Sequence, residues 1–459
     1  MRKTTMWLAG LLATFAVAAP AEAAPRTGLS WQDCGDGLLC AQLTVPVDWT
    51  DPDGARTTLS LTKLPARDQA RKQGVLYVNS GGPATQAPLL RNPAFAGLTD
   101  AFDLVVSETR GFDTISCPMG PLPAGGEWVF PDRSAYETYV EENQQVGRAC
   151  AEAAGPLAGK LDSRQVAHDL EAVRTALGER KLNYFGNSYG TVYGQAYAEL
   201  FPRRVGRMYL DSVKDHTNRS ILDWVLPRAT TAERNLHRLA EWCAREPSCA
   251  LHGRDLLAVW DDVIRRAEQE PIPGGGTTVS ATKILSRTDP QVEQQWPMLA
   301  TALAQASAGD ATAFAGSPPP GAGGPGLGRQ LICADFPYPS DYRELKSLET
   351  KLRTVAPRLG WVYAWQAAVH CAGLPVPPTY APHPFRANGL PPVLIVNGEG
   401  DSTTPPQWAR RLASQLPGAR YVPASGGHAR YLSGDACVRG HADRYLTTGA
   451  LPPAGTRCG

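Results

Sequence analysis

Five short apolar runs constrain the fold of this chain more than any other feature. They are "GVLYVNS" (74–80), "FDLVVSE" (102–108), "LNYFGNS" (182–188), "RMYLDS" (207–212) and "PVLIVNG" (392–398). Each has strand length, and helical patterns separate them: "SRQVAHDLEAVRTALG", with Ser163 as a plausible N-cap and Gly178 as its stop, "YGTVYGQAYAELFP", ending at Pro202, and "PPQWARRLASQLPG", which opens on prolines suited to a first turn. Buried strands alternating with helices predict an α/β fold, a mostly parallel sheet flanked by helices on both faces. Ahead of it, "AQLTVPVDW" and "TTLSLTKL" read as a hairpin about "TDPDGAR".

The rhythm breaks between Asp215 and Leu331, where "ILDWVLPRATTAERNLHRLAEWCA" and "DLLAVWDDVIRRAEQE" read as helices without a core strand, and "GSPPPGAGGPGLG" (316–328) reads as a flexible loop. This predicts a helical lid inserted between two strands of the sheet. The expected division is a signal peptide over 1–24, a first core part over 25–214, the lid over 215–331 and a second core part over 332–459. A length of 459 residues suits a large catalytic domain with such an insertion.

The signal reading rests on Arg2 and Lys3 ahead of the apolar run Met6 to Ala19, followed by Ala21-Glu22-Ala23. The run is too short for a spanning helix, which needs about 20 residues, so the expectation is a secreted protein without stable membrane association. Ten cysteines follow the cut, an even number that suits disulfides in an exported chain. Sequence alone does not fix their pairing; the simplest expectation pairs neighbours in order, each bridge closing a local loop: Cys34–Cys40, Cys117–Cys150, Cys243–Cys249, Cys333–Cys371 and Cys437–Cys458. With no C-x-x-C and no H-E-x-x-H, neither a metal nor another cofactor is expected. Lys and Arg total 45 against 44 Asp and Glu, with no basic block, which speaks against nucleic acid as a partner.

Within "YFGNSYGT", Gly186-Asn187-Ser188-Tyr189-Gly190 matches G-x-S-x-G directly after a strand and directly before a helix, the context of a nucleophile elbow. A serine hydroxyl attacks only when a base takes its proton, so Ser188 needs a histidine, an acid and oxyanion donors. Asp401, in "NGEGDSTTPPQWA", sits beyond a strand end and before a helix; Glu399 and Asp211 are its rivals, and the order Ser, Asp, His favours Asp401. His428, in "YVPASGGHARYL", occupies a strand-end glycine loop downstream of that acid. The other histidines, 168, 216, 237, 252, 370, 383 and 441, fall mostly in helices, the lid or proline-rich loops. The oxyanion donors expected are the N–H of Tyr189 and that of Gly82 in "NSGGPA", with Gly81 almost equal.

Together these residues resemble the α/β-hydrolase superfamily, and within it the secreted tripeptidyl-aminopeptidase-like serine hydrolases of actinobacteria, relatives of the prolyl aminopeptidases. The resemblance spans almost the whole mature chain and is carried by "CAQLTVPVDWTDP", the "GGP" loop, "TRGFDTISC", "GNSYGTVYGQAYAELFPRRVGRMYLDSV", "ICADFP", "NGEGDSTTPPQWA" and "GGHARYL". It implies a lid of helices over the site, a TAP-like C-terminal region holding acid and base, and release of short peptides, tripeptides among them, from free N-termini. Two departures stand out. Ala84 follows Gly-Gly-Pro where relatives carry glycine, and Glu108-Thr109-Arg110 stands where they carry Asp-Pro-Arg. Both alter the walls near the oxyanion loop, which keeps open an esterase or amidase acting on a specialised secondary metabolite. A non-catalytic binding protein on the same scaffold is a third reading, disfavoured because binding gives no reason to keep Ser, Asp and His together. An aminopeptidase also needs an anion for the substrate's ammonium group. Asp215, Asp223 and Glu233 are lid candidates, none of them assigned, and Trp224, Trp242 and Trp260 suit helix packing better than a pocket wall.

Overall fold

The computed structural model describes residues 28–118, 129–316, 326–336, 341–369, 371–376 and 378–459; the signal segment read at 1–24 lies outside them, as do His370 and most of the loop read at 316–328. The first seven strands are β1 (Gln32–Asp33), β2 (Leu39–Pro46), β3 (Arg56–Leu64), β4 (Val75–Asn79), β5 (Asp103–Ser107), β6 (Leu182–Asn187) and β7 (Val205–Asp211). A small separate ribbon, β8 (Ile272–Gly274) and β9 (Thr277–Val279), follows, and the large sheet resumes with β10 (Leu394–Gly398) and β11 (Arg420–Ala424). Its order is β1-β2-β3-β5-β4-β6-β7-β10-β11. From β5 onward every neighbour pair is parallel, while β1, β2 and β3 form an antiparallel margin.

The continuous apolar runs follow from this position, because residues of one strand point alternately into two cores. Val75 and Tyr77 of β4 join one cluster with Tyr184, Met208 and Ile395, whereas Leu76 and Val78 join the other with Phe185, Tyr209 and Val396.

The helices are α1 (Arg133–Ala154), α2 (Ser163–Ala176) and α3 (Gly190–Leu200) before β7; α4 (Ile221–Arg245), α5 (Leu256–Gln269), α6 (Ala281–Arg287), α7 (Trp296–Ser307), α8 (Thr312–Ala315), α9 (Gly326–Asp335), α10 (Tyr342–Arg353) and α11 (Val362–Val369) between β7 and β10; and α12 (Pro406–Gln415) and α13 (Ala436–Thr448) after β10. Among the described residues, none of the chain between β7 and β10 joins the large sheet. Trp224 of α4 stacks on Trp408 of α12 with centroids 4.5 Å apart, which ties this helical interval to the core. No helix among the described residues is long and apolar enough to cross a membrane.

Sequence reading placed the cap of α2 at Ser163, one residue late. Asp162 is the N-cap, its side chain accepting from the Gln165 N–H at 3.0 Å. Ser163 donates its hydroxyl to Asp335 instead. Asp and Ser cap with comparable strength, so the tertiary partner decided between them.

The cysteines pair in sequence order, as expected: Cys34–Cys40, Cys117–Cys150, Cys243–Cys249, Cys333–Cys371 and Cys437–Cys458. His441 lies beside Cys437 and Cys458, but those sulfurs are bonded to each other and offer no thiolate to a metal.

"TRGFDTISC" contributes a buried tie. Arg110 and Asp169 have side-chain exposures of 0% and 5%. The guanidinium grips the carboxylate bidentately, Nε at 2.8 Å and Nη2 at 2.6 Å, while Nη1 donates to the carbonyls of Val47 and Lys160. Trp49 Nε1 donates to the same carboxylate at 2.8 Å, fastening the loop after β2 to α2. Removing the anion leaves a buried guanidinium unpaired. Asp169→Ala is therefore expected to cost about 3–5 kcal/mol, seen as a lower urea midpoint at unchanged slope; an unmoved midpoint would show that the pair does not hold the loop.

Candidate active site

Ser188 occupies the turn between β6 and α3 with φ of +54°, a left-handed conformation that a non-glycine residue adopts only when its surroundings enforce it. Its N–H donates to the Asp211 carbonyl at 3.0 Å, and its carbonyl accepts from the Thr191 N–H at 3.0 Å and hydroxyl at 2.6 Å. The glycine two residues on is required by crowding: a Cβ on Gly190 would lie 2.6 Å from Asn79 Oδ1 and 2.8 Å from Asn79 O. Tyr189 is buried, its hydroxyl donating to Asp335 Oδ2 at 2.6 Å.

The "GGPA" loop passes directly over this turn. Gly81 has φ of +92°, and a Cβ there would meet Tyr189 N at 2.7 Å and Ser188 Cβ at 2.8 Å. Gln86 laces the loop, accepting from the Ser80 N–H at 2.8 Å and donating to the carbonyls of Gly81 and Ala84. Glu108, one of the departures from the family pattern, accepts from the N–H groups of Gln86 and Ala87 at 2.9 Å. It thereby fixes the far end of the loop from β5.

Asp401 follows β10 and His428 follows β11. Asp401 is fully buried and collects three donors: the Thr404 N–H on Oδ1 at 2.7 Å, the Thr404 hydroxyl on Oδ2 at 2.7 Å, and His428 Nδ1 on Oδ2 at 2.8 Å. Thr404 Oγ1 also lies 3.0 Å from His428 Nδ1. The carboxylate accepts a hydrogen bond from Nδ1–H, which keeps that proton on Nδ1 and leaves the Nε2 lone pair free to accept another.

The base loop is pinned to the same edge as the serine. Ala429 N–H donates to Ser212 Oγ at 2.7 Å and Tyr431 N–H to Asp211 Oδ2 at 2.7 Å, and Asp211 is also the residue whose carbonyl holds the Ser188 N–H.

Burial, the largest influence on His428, disfavours its cation, but the charge and hydrogen bond of Asp401, with Asp211 and Asp289 adding, outweigh it and raise the imidazole above its ordinary 6.5. With His428 as the expected base, a protonated imidazole could not take a serine proton, and activity is expected to fall with pH. The acid limb of kcat/KM is expected to turn at a pH above 6.5, whatever the substrate; a limb below 6.5 would contradict this electrostatic account.

The rivals are engaged elsewhere. Asp211 is buried and accepts from Tyr431 N–H, the Tyr209 hydroxyl and the Ser212 hydroxyl. Glu399 turns to the surface, bonding Arg457 at 2.8 Å and Arg410 at 3.5 Å. His216 is buried against carbonyl oxygens of Asp335 and Tyr380, His168 stacks on Trp49, and His383 pairs with Glu199.

Of the lid carboxylates, Asp215 is buried in an ion pair with Arg411, Glu233 accepts the N–H groups of Arg358, Leu359 and Gly360, and Asp223 lies in the first turn of α4. Trp260 is buried and Trp242 packs on Trp296, consistent with packing roles.

Two site features escaped the sequence reading. One is Thr404, which bonds both acid and base; its spacing of three from Asp401 in a strand-end loop was the available signal. The other is Lys214, whose Nζ lies 4.7 Å over the rings of both Tyr189 and Phe336. Burial, with Arg228 nearby, pushes it down to about 7.

A family model described as alpha/beta hydrolase fold matches residues 79–262, and one described as TAP-like protein matches residues 356–458. A tripeptidyl aminopeptidase of Streptomyces coelicolor is 28% identical over an alignment covering 95% of this chain and 86% of that protein. The serine protease Hip1 of Mycobacterium tuberculosis is 30% identical, covering 92% and 87%, and carboxylesterase B of the same species is 30% identical, covering 94% and 89%.

Proposed function

The chain belongs to the α/β-hydrolase family whose members carry a TAP-like C-terminal region, and from that premise we propose that it is a serine exopeptidase releasing short peptides, tripeptides foremost, from free N-termini. The observation that carries this is the Asp401–Thr404–His428 cluster, fastened through Asp211 and Ser212 to the edge where Ser188 is held in a left-handed turn.

In the proposed reaction His428 Nε2 takes the Ser188 proton as Oγ attacks the peptide carbonyl. The N–H groups of Tyr189 and Gly82 receive the oxyanion, supported by the close passage of the Gly81 backbone over Ser188 and Tyr189. The departing amine takes the proton from His428, and water then releases the acyl product by the same route in reverse. Asp401 holds the imidazole tautomer and stabilises its cation. We place the enzyme outside the cell, supported by five disulfides.

The test compares release of a chromogenic amine from a tripeptide anilide with a free N-terminus and from its N-acetylated twin. Cleavage of the free form alone is the expected result. Equal cleavage of both would indicate an endopeptidase or broad amidase. Cleavage of acyl esters alone would favour the second reading, an esterase or amidase on a specialised metabolite, which the 30% identity to a carboxylesterase supports.

A further inference from the structure

The segment between α6 and α7 reaches from the lid onto the acid and base loops, and it is held stiffly. The Thr288 hydroxyl donates to the Ile284 carbonyl at 2.8 Å, and Trp296 Nε1 donates to the Pro290 carbonyl at 2.8 Å. Gln291 then bridges to the catalytic loops: its Nε2 donates to Thr403 Oγ1 at 3.2 Å, beside Asp401, and its carbonyl packs so closely on Gly427, beside His428, that a Cβ there would lie 2.7 Å from it.

The same Nε2 donates to Asp289 Oδ2 at 2.6 Å, which fixes that carboxylate at the junction of the two loops. Asp289 is nonetheless exposed. Both hydrogen bonds to it come from Gln291, and no ion pair involves it among the described residues. Close packing of protein around the carboxyl, the largest influence, raises it above the ordinary carboxylate range against the Gln291 hydrogen bonds and the charge of Arg228, whose Nε donates to the Ser402 carbonyl at 3.2 Å and whose guanidinium lies over the Tyr363 ring; the Asp289 charge in turn adds to those that raise His428.

A rigidly held, solvent-open carboxylate in electrostatic reach of the catalytic histidine is unlike the other acids considered for this role. Asp215 and Glu233 are consumed by an ion pair and by backbone N–H groups, and Asp223, though exposed, sits in the first turn of α4 with no hydrogen bond tying it to the loops of Asp401 and His428 among the described residues. An α-ammonium entering a cleft loses water and must regain a charge-assisted partner.

We propose that Asp289 receives the α-ammonium group of the substrate's free N-terminus and so makes the enzyme an exopeptidase. The assignment rests on the serine exopeptidase reading.

The experiment measures kcat/KM of the mature protein, Asp289→Asn and Asp289→Glu on trialanine anilide and its N-acetyl twin. Both substrates use His428, so any effect sent through the imidazole cancels in their ratio. Asp289→Asn is expected to lower kcat/KM for the free substrate by roughly 10- to 100-fold and for the acetylated one by less than about threefold, with Asp289→Glu recovering part of the preference. An equal loss on both, or no loss on either, overturns the assignment. A wild-type preference for the free form that survives Asp289→Asn overturns it while leaving the exopeptidase reading intact; absence of that preference in the wild type overturns the reading itself. If neither anilide is cleaved, p-nitrophenyl butyrate hydrolysis serves as the readout, inhibited by trialanine or by N-acetyl-trialanine. Tighter inhibition by the free peptide, lost in Asp289→Asn, supports the assignment, and equal inhibition by the two peptides overturns it.

Discussion

Ser188→Ala is expected to lower turnover by roughly four to six orders of magnitude while leaving the unfolding midpoint within experimental error. In the proposed mechanism Ser188 is the one group whose loss removes the covalent route altogether. The turn that holds it is kept by main-chain bonds from Asp211 and to Thr191 and by the crowding of Gly190 against Asn79, none of which involves the hydroxyl. Alanine does inherit the positive φ, but so did serine. Intact mass after treatment with phenylmethylsulfonyl fluoride supplies a second readout: one adduct per wild-type chain, none on the variant. A residual rate above a hundredth of wild type would mean that Ser188 is not the attacking group.

Asp401→Asn is the second large effect, roughly 10⁴-fold in kcat. Three donors converge on two carboxylate oxygens, the Thr404 N–H on one and the Thr404 hydroxyl and His428 Nδ1–H on the other. An asparagine offers one acceptor and one donor. If its oxygen stays with the Thr404 N–H, its NH₂ faces His428 Nδ1, the imidazole proton moves to Nε2, and the lone pair that should receive the serine proton is gone. If it flips, the NH₂ opposes the Thr404 N–H and the loop shifts. Glu399→Gln is the matched control, because Glu399 bonds only surface arginines; less than a twofold change is expected. The reverse ranking of the two variants would move the acid role to Glu399.

Much of this arrangement was legible before any fold was known, and the reasons lie in particular residues. The apolar runs at 74–80, 102–108, 182–188, 207–212 and 392–398 became β4, β5, β6, β7 and β10, since a strand buried on both faces has no polar side to disguise it. The G-x-S-x-G turn was legible because close backbone approach restricts side-chain size locally. The cysteine pairing was not fixed by sequence, but the simplest choice, neighbours in order, is the one the structure forms. Where a role depended on what a distant segment brings, the sequence was silent. Ser163 and Asp162 are both good caps, and only Asp335, 172 residues away, draws the Ser163 hydroxyl aside. Thr404 carries no signature beyond its spacing, yet it bonds acid and base alike. Asp289 has nothing in its neighbourhood of sequence to separate it from the solvated acids of lid helices; the bridge from Gln291 to Thr403, 112 residues on, puts it beside the triad loops.

The sequence by itself determined the parallel sheet and the glycine-flanked turn at Ser188, and it put Asp401 and His428 forward at strand ends as the proposed acid and base, because these depend on periodicity, strand-end position and glycine, all of which are properties of short stretches. Tertiary structure showed that Asp401, the carboxylate that sequence order favoured, faces the imidazole, and it alone decided which other carboxylates are consumed as structural anchors and which remain exposed. A carboxylate's role is set by the donors that reach its oxygens and by the water left around it, and here those donors arrive from segments more than a hundred residues apart, as with Glu233 and the N–H groups of Arg358 to Gly360.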